Sequence, residues 1–484
     1  MSYIRTVKTA SGATAVQIAS KRYGRIVRIE HIGSAHNEAD LQLLLTLAKK
    51  RLIAGQISLF PENLSPPSDS RIILRRSWSG LLFRMLDNQY RQLGFDTLRD
   101  RHFKYLCIAR LVEPVSKLDS IRVLAELGID GISKDMLYRC LKRVIKKDYR
   151  GIISAKCYVH AAVMGISLVL YDVTTLYFEI QKEDEYRKPG LSKERRLEPQ
   201  IIIGLLVDAS GFPLGLHSFE GNTAETTTII PVLAKFKKQH NINVPITVVA
   251  DAAMLSVKNL DALTQAGYHY IVGSRMNKIP YDIAEYQKTD QQLADGQIIT
   301  TQQNDHRVIY QYREKRAKLD LHNIEKQVRK ATAIVEGKAV AKKTKFLNFK
   351  SKTVTLNQTL IDKAKTLAGI KGYVTNLSDE SDSQIITYYH QLFRVEASFR
   401  MCKSDLRARP IFHHLRDSIE AHLTIVLAAL AIGREVEHKT GLSIKQVVKD
   451  LKPIRTGVIL AGNTEYQAEE EISPNIERLL GLLN

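Results

Sequence analysis

The chain has 484 residues, 44% of them hydrophobic and 25% charged, which is enough apolar material for more than one folded core. Its 71 Lys and Arg against 51 Asp and Glu leave a net charge of +20, which favours a polyanionic partner, nucleic acid before a membrane surface. A basic protein without such a partner is the alternative. With no signal peptide and no apolar run of membrane length, we expect a cytoplasmic protein that does not bind membranes.

The first 150 residues contain two regions of different character. Short strand-like runs followed by helical spacing predict a β-meander plus a helix over residues 1–60. Residues 76–150 are predicted to be helical, and their last helix is basic, with Ser133 placed to cap it. This pattern is compatible with a helix-turn-helix region that binds DNA, and equally with a plain helical bundle.

The remainder predicts a mixed α/β core in two parts. Residues 151–275 read as strand, hairpin, helix, strand, helix and strand, and residues 373–440 add a strand, a helix and an apolar core helix. Between them, residues 276–372 have short polar strands around a long basic helix, which predicts a β-rich insertion. Residues 441–484 form a C-terminal tail. The fold class is therefore a multi-domain α/β protein.

The stretch from Tyr388 to Pro410 predicts one helix of about five turns, because it has no internal glycine or proline. On a 3.6-residue period, Tyr389, Glu396, Arg400 and Lys403 share one face of that helix. An acid, two cations and a phenol on one face suit a metal ion beside a phosphodiester, whereas the simpler interpretation is a solvated charged stripe.

Two earlier carboxylates strengthen the metal interpretation. Asp172 lies within the apolar run ISLVLYDVTTLYFE, where a charge is costly unless it is paired or binds a cation. Asp251 ends the apolar strand PITVVAD, where α/β sheets commonly present ligand groups, although such an aspartate can also cap the next helix. With Glu396, they offer only oxygen ligands, which favours Mg²⁺ or Mn²⁺ over zinc.

These motifs resemble the DDE transposases of bacterial insertion sequences, in the insertion-sequence-four family. YDVTTLYFE matches the first acidic motif, VVADAAMLS with Asn259 matches the second, and Tyr389, Glu396 and Lys403 match the third in register. The family has an arginine where this chain has Leu392, and Arg394 lies nearby at a different helical angle. Arg400 fits the family pattern. EGNTAETTT, with Asn222 and Thr223, is similar to the family's loop after the hairpin.

The resemblance implies a ribonuclease-H-like core that cleaves DNA at the ends of an insertion element and joins them to target DNA. Asp172, Asp251 and Glu396 would be catalytic and would hold two Mg²⁺ or Mn²⁺ ions, while Tyr389, Arg400 and Lys403 would contact DNA. A core position for Tyr389 is the alternative. A homodimer on DNA is expected, because two element ends must be paired. A nuclease that cuts without joining, or a DNA-binding protein that has lost catalysis, are the competing functions.

Overall fold

The computed structural model describes most of the chain. The described residues are 2–9, 12–22, 24–53, 72–163, 165–179, 183–190, 198–242, 245–252, 256–274, 280, 283–285, 293–303, 306–340, 344–348, 354–409, 411, 413–461 and 464–484. They divide into two compact units, one of residues 1–73 with 460–464 and one of residues 74–459 with 465–484.

The first unit is an antiparallel meander with one helix. Strands β1 (Ser2–Lys8), β2 (Thr14–Arg22) and β3 (Arg25–Ala35) pair in that order. Helix α1 (Glu38–Ile53) follows. Val16, Ile18 and Ala48 form its small core, so the helix covers one face of the meander.

The second unit begins with helices that surround a long buried helix. The elements are β4 (Ile72–Trp78), α2 (Gly80–Gln92), α3 (Arg101–Val112), α4 (Ser120–Glu126), α5 (Lys134–Lys146) and α6 (Tyr149–Ala162). The predicted cap is confirmed, since the Ser133 hydroxyl accepts the Met136 N–H at 3.3 Å. The apolar helix predicted near the C-terminus is α13 (Arg416–Thr440), which is buried along most of its length.

The centre of this unit is a mixed sheet of eight described strands. They are β5 (Leu168–Tyr177), β6 (Gln200–Asp208), β7 (Pro213–Glu220), β8 (Thr247–Ala250), β9 (His269–Gly273), β10 (Ile298–Gln303), β11 (His306–Tyr312) and β14 (Ile370–Thr375). Their order is β10-β11-β14-β9-β8-β5-β6-β7. The β5, β6 and β7 strands are antiparallel, β8 and β9 run parallel to β5, and the remaining pairs are antiparallel. Helices α7 (Ile229–His240) and α8 (Val257–Gln265) connect the strands.

The segment predicted as a β-rich insertion is organised differently from that prediction. Its first two strands, β10 and β11, extend the central sheet through β14. Between β11 and β14 lie α9 (Glu314–Val335), the short pair β12 (Leu347–Asn348) and β13 (Thr355–Leu356), and α10 (Gln358–Thr366). These pack around a core of their own that includes Ile324, Phe346 and Ile361. The described part of the excursion is therefore mainly helical.

The predicted five-turn helix from Tyr388 is wrong, because the segment is broken. Helix α11 (Asp382–His390) ends before Leu392, α12 is Phe393–Arg400, and Met401–Asp405 is a π-helical turn. At the junction the Leu392 N–H donates to the Tyr389 carbonyl at 3.0 Å, three residues back, which tightens the chain and changes its direction. Tyr389 therefore does not share a continuous helix with Glu396, Arg400 and Lys403.

The chain closes with short elements on the second unit. They are α14 (Ile444–Leu451), β15 (Thr456–Ala461), β16 (Thr464–Ala468) and α15 (Pro474–Leu483). Both strands join β4 in a small three-stranded sheet with the order β16-β15-β4. No helix among the described residues is long and apolar enough to cross a membrane.

Candidate active site

The register of two parallel strands brings the first two predicted carboxylates together. Tyr171 of β5 pairs with Ala250 of β8, so Asp172 and Asp251 follow at neighbouring positions in the two chains. Because side chains at matched positions of parallel strands leave the same face, both carboxylates belong to one face of the sheet. Asp172 is half-buried and Asp251 is exposed.

Close packing on the opposite face fixes the strand that carries Asp172. The Tyr171 hydroxyl donates to the Thr228 hydroxyl at 2.9 Å, beside the start of α7. Its ring crosses Gly204 of β6, where a Cβ atom would lie 2.3 Å from the hydroxyl oxygen. Glycine is thus required at residue 204 for Tyr171 to reach α7. The buried tyrosine holds β5 from behind while Asp172 faces the other way.

Asp251 is held by its own turn and by Tyr389. Its Oδ1 accepts the Ala252 N–H at 2.7 Å and a longer hydrogen bond from the Tyr389 hydroxyl at 3.4 Å. Tyr389 is only 5% exposed, so the alternative of a core tyrosine is right for its ring, although its hydroxyl reaches the site. Gly273 makes room for it, since a Cβ there would lie 2.6 Å from the hydroxyl oxygen. Burial, and then the charge of Asp251, raise the pKa of Tyr389, so it is a phenol that donates.

Lys371 is a cation at this site that the sequence analysis missed. Its Nζ lies 4.4 Å from the centre of the Tyr389 ring, a cation–π distance. Burial and then the charge of Arg316 lower its pKa, while the charges of Asp251 and Glu396 oppose that effect. Both carboxylates therefore act on the same lysine. The sequence signal was its place in the short strand IKGYVT, whose other residues are all buried.

The helical segment α12 with its π turn lies over the same face of the sheet as Asp172. Lys403 donates from Nζ to the Thr174 hydroxyl at 2.6 Å, and Thr174 is two residues beyond Asp172 on β5. Glu396 and Arg400 are exposed on α12. After burial and the charge of Asp251, the charge of Glu396 also contributes to the raised pKa of Tyr389.

The three predicted carboxylates do not form a closed metal site. Among the described residues, which include Asp172, Asp251 and Glu396, no three His, Cys, Asp or Glu side chains are arranged to hold a metal ion. The two aspartates at neighbouring positions of adjacent strands nevertheless offer the oxygen donors that Mg²⁺ and Mn²⁺ prefer. Their donor chemistry fits a divalent ion, and coordination by all three stays a prediction.

Other residues named in the sequence analysis pack in the core or hold loops in place. Leu392 is 7% exposed and belongs to the main core, so it does not take the surface role of the motif's arginine. Asn259 donates to the Thr226 carbonyl at 2.6 Å and so anchors the loop before α7. The Thr223 N–H closes a turn onto the Glu220 carbonyl at 3.0 Å, next to the exposed Asn222.

The fold and the site define an α/β protein that sets Asp172 and Asp251 at neighbouring positions of a mixed sheet, with Glu396 on α12 and Lys403 on the π turn that follows it. The family model described as "Transposase DDE domain" matches residues 164–432, more than half of the chain, and the chain belongs to that family. Among solved structures, the chain is similar to the cryo-EM structure of a piggyBac transposase synaptic complex with hairpin DNA. That similarity has 12% identity and a TM-score of 0.42, and it covers 78% of this chain and 79% of the other. No match was found among curated proteins.

Proposed function

We propose that this protein is a transposase of the insertion-sequence-four type, which cleaves DNA at the ends of a bacterial insertion element and joins those ends to target DNA. The observation that carries the proposal is the register of β5 and β8, which sets Asp172 beside Asp251 on the face covered by α12. Membership of the DDE family supports it independently.

A ribonuclease-H-like core is part of the proposal. The inner strands have the order β7-β6-β5-β8-β9, with three antiparallel strands followed by two parallel to β5. Such a core needs one carboxylate in the middle of its first strand and a second at the end of the fourth. Asp172 and Asp251 occupy those places in β5 and after β8, which supports this assignment.

The proposed chemistry assigns a role to each site residue. Asp172, Asp251 and Glu396 would hold one or two Mg²⁺ or Mn²⁺ ions, which when bound activate water or a 3′-hydroxyl and stabilise the leaving oxygen. Lys403, which donates to the Thr174 hydroxyl, would contact the phosphate of the cleaved strand, and Arg400 would bind phosphate bidentately. The Tyr389 hydroxyl orients Asp251.

DNA contact away from the site is proposed for the helical region, residues 76–150. A surface formed by the start of α3 and one side of α5 exposes Arg99, Arg101, Arg139 and Lys147. Asp100 fixes this surface, since its carboxylate accepts from Arg143 at 2.8 and 3.0 Å and from the Tyr149 hydroxyl at 3.0 Å. Several cations held on a rigid helical pair suit a DNA backbone. A homodimer would pair the two element ends.

The test is incubation of the purified protein with duplexes of the element's own ends, supercoiled target DNA and Mg²⁺. Cleaved and joined products are expected with the parent, and neither with Asp172→Asn, Asp251→Asn or Glu396→Gln. Asp261→Asn, on the exposed face of α8, is the matched control and should leave the products unchanged. Cleavage without joining would identify a nuclease, and neither product from a folded parent would reject the proposed chemistry.

A further inference from the structure

A cavity of about 370 Å³ lies away from the carboxylates, between the α3–α4 loop and the chain that follows the π turn. We call it the loop cavity; the side chains that matter here are Arg110, Lys117, Tyr138, Arg407, His413 and His422. Since a water molecule takes about 30 Å³ of liquid, the cavity has the volume of about a dozen waters. It is roomy, and three cations, Arg110, Lys117 and Arg407, line it.

Lys117 is the most deeply placed of these cations. It is 6% exposed, and its Nζ lies 2.9 Å from Nδ1 of His422. Nε2 of the same imidazole is 3.1 Å from the Ala408 carbonyl, which can only accept, so Nε2 carries the hydrogen and Nδ1 accepts from Lys117. His422 is therefore a neutral acceptor, and two of the three ammonium hydrogens of Lys117 remain for other partners.

Arg110 is a second buried cation next to it. It is 7% exposed and donates from one terminal nitrogen to the carbonyls of Leu406 and Arg407, both at a long 3.4 Å. Neither Arg110 nor Lys117 forms an ion pair with a carboxylate among the described residues, and the same holds for Arg407. The only acid in the lining, Asp119, is exposed and accepts from the Ser116 hydroxyl at 2.8 Å.

Burying cations without a counter-charge is costly, and this cost lowers the pKa of Lys117, Arg110 and His413. Burial, and then the charge of Arg110, hold the pKa of Lys117 well below its usual value. Burial lowers the pKa of Arg110 to about 10. Burial and the charges of Lys117 and Arg110 lower the pKa of His413 to about 4. Each of these effects would be reversed by a negative charge inside the cavity.

We infer that the loop cavity is an oxyanion site that binds a phosphate group through Lys117 and Arg110, with Arg407 at its exposed rim. Arg407 is held with φ +41, a backbone conformation that arginine rarely adopts, as the chain turns from the π segment to the cavity. In the sequence, Arg407 lies four residues after Lys403, on the segment that leads out of the π turn. Free phosphate and a phosphate of the DNA backbone present the same chemistry. The assignment does not depend on the proposed DNA cleavage, because it needs no metal and none of the three carboxylates.

The test compares the parent with Lys117→Met, which keeps an unbranched side chain one atom shorter and removes its charge. In the first arm, Tm is measured in sodium phosphate and in sodium chloride at equal ionic strength and pH. In the second, binding of a duplex is measured without metal over a range of salt concentrations. Lys326→Met, at an exposed position of α9, is the matched control for loss of one positive charge. Arg407→Gln tests the rim, where a substitution leaves the core untouched.

Phosphate should raise the Tm of the parent and of the control. The affinity of Lys117→Met for phosphate, taken from the dependence of Tm on phosphate concentration, should be at least about tenfold weaker than that of the parent. If free phosphate has no effect but Lys117→Met and Arg407→Gln each make the salt slope of DNA binding shallower by about 0.9, the site takes a backbone phosphate. Lys117→Met that matches the control in both arms overturns the assignment. The assignment is also overturned if phosphate raises the Tm of the parent and of Lys117→Met equally and the two proteins have the same salt slope of DNA binding.

Discussion

Replacing Leu392 by arginine would introduce the residue found at this position in the motif that the sequence resembles, and the structure predicts that the protein will not tolerate it. Leu392 is 7% exposed, at the junction of α11 and α12. Removing a buried leucine costs about 2–5 kcal/mol, and burying a guanidinium without a partner adds several more. We expect a loss of at least about 4 kcal/mol, a large part of the stability of an ordinary domain.

The matched control is Phe393→Arg, one residue further along the chain. Phe393 is 62% exposed, so arginine there should change stability by less than about 1 kcal/mol. The measurement is urea unfolding followed by circular dichroism, with DNA binding measured on the same samples. A Leu392→Arg protein that unfolds at the same urea concentration as Phe393→Arg, and binds DNA more tightly than the parent, would refute the core assignment.

Three further outcomes test separate parts of the molecule. Burial raises the pKa of the Asp100 carboxyl, but hydrogen bonds from Arg143 and others outweigh it, so its folded pKa is below the unfolded value near 3.8. The stabilisation that this carboxylate gives should therefore be complete above about pH 4 and lost at lower pH. The Tm advantage of the parent over Asp100→Asn should accordingly shrink from pH 5 to pH 3. Lys403→Ala should weaken DNA binding and lower the salt slope of that binding by about 0.9. Glu396→Ala should instead abolish cutting and keep metal-free DNA binding. Equal loss of DNA binding in both variants would contradict the assigned roles. Mg²⁺ should raise the Tm of the parent more than that of Asp172→Asn, and an equal rise would remove Asp172 from the metal site.

The sequence predicted the two aspartate-bearing strands because each is an apolar run with one charge. These predictions are confirmed by β5 and β8, with Asp172 inside the first and Asp251 directly after the second. That β5 and β8 are neighbours in the sheet, with Asp172 and Asp251 at matching positions, could not be predicted from local sequence. The Tyr171–Ala250 pairing joins residues far apart in the chain, and parallel pairing has no local turn that fixes its register.

The broken helix could not be predicted, because local signals favour continuity through Gln391 and Leu392. Both residues keep right-handed helical angles, and only the hydrogen bonding shifts to residues three positions back. Burial of Leu392 in the core sets that turn. The place of Lys371 in the site could not be predicted either, because Tyr389 and Asp251, which interact with it, come from other parts of the chain.

The contact between Tyr389 and Asp251 depends on a glycine more than a hundred residues away, and this dependence can be tested. A Cβ at Gly273 would lie 2.6 Å from the Tyr389 hydroxyl oxygen and 3.2 Å from the ring carbon that bears it. Gly273→Ala should therefore displace Tyr389 from Asp251 and cost about 1–3 kcal/mol, as overpacking does.

Tyr389→Phe removes the oxygen that clashes and gives up only a 3.4 Å hydrogen bond. The double variant Gly273→Ala with Tyr389→Phe should consequently be more stable than Gly273→Ala alone, although a hydroxyl and a glycine have both been lost. Measured as a double-mutant cycle of unfolding free energies, the two substitutions should be coupled by about 1 kcal/mol or more. DNA cutting should fall in Gly273→Ala, because Asp251 loses the group that orients it. Additive effects in the cycle would show that the ring does not pack on Gly273, and the hydroxyl would then have no fixed place beside Asp251.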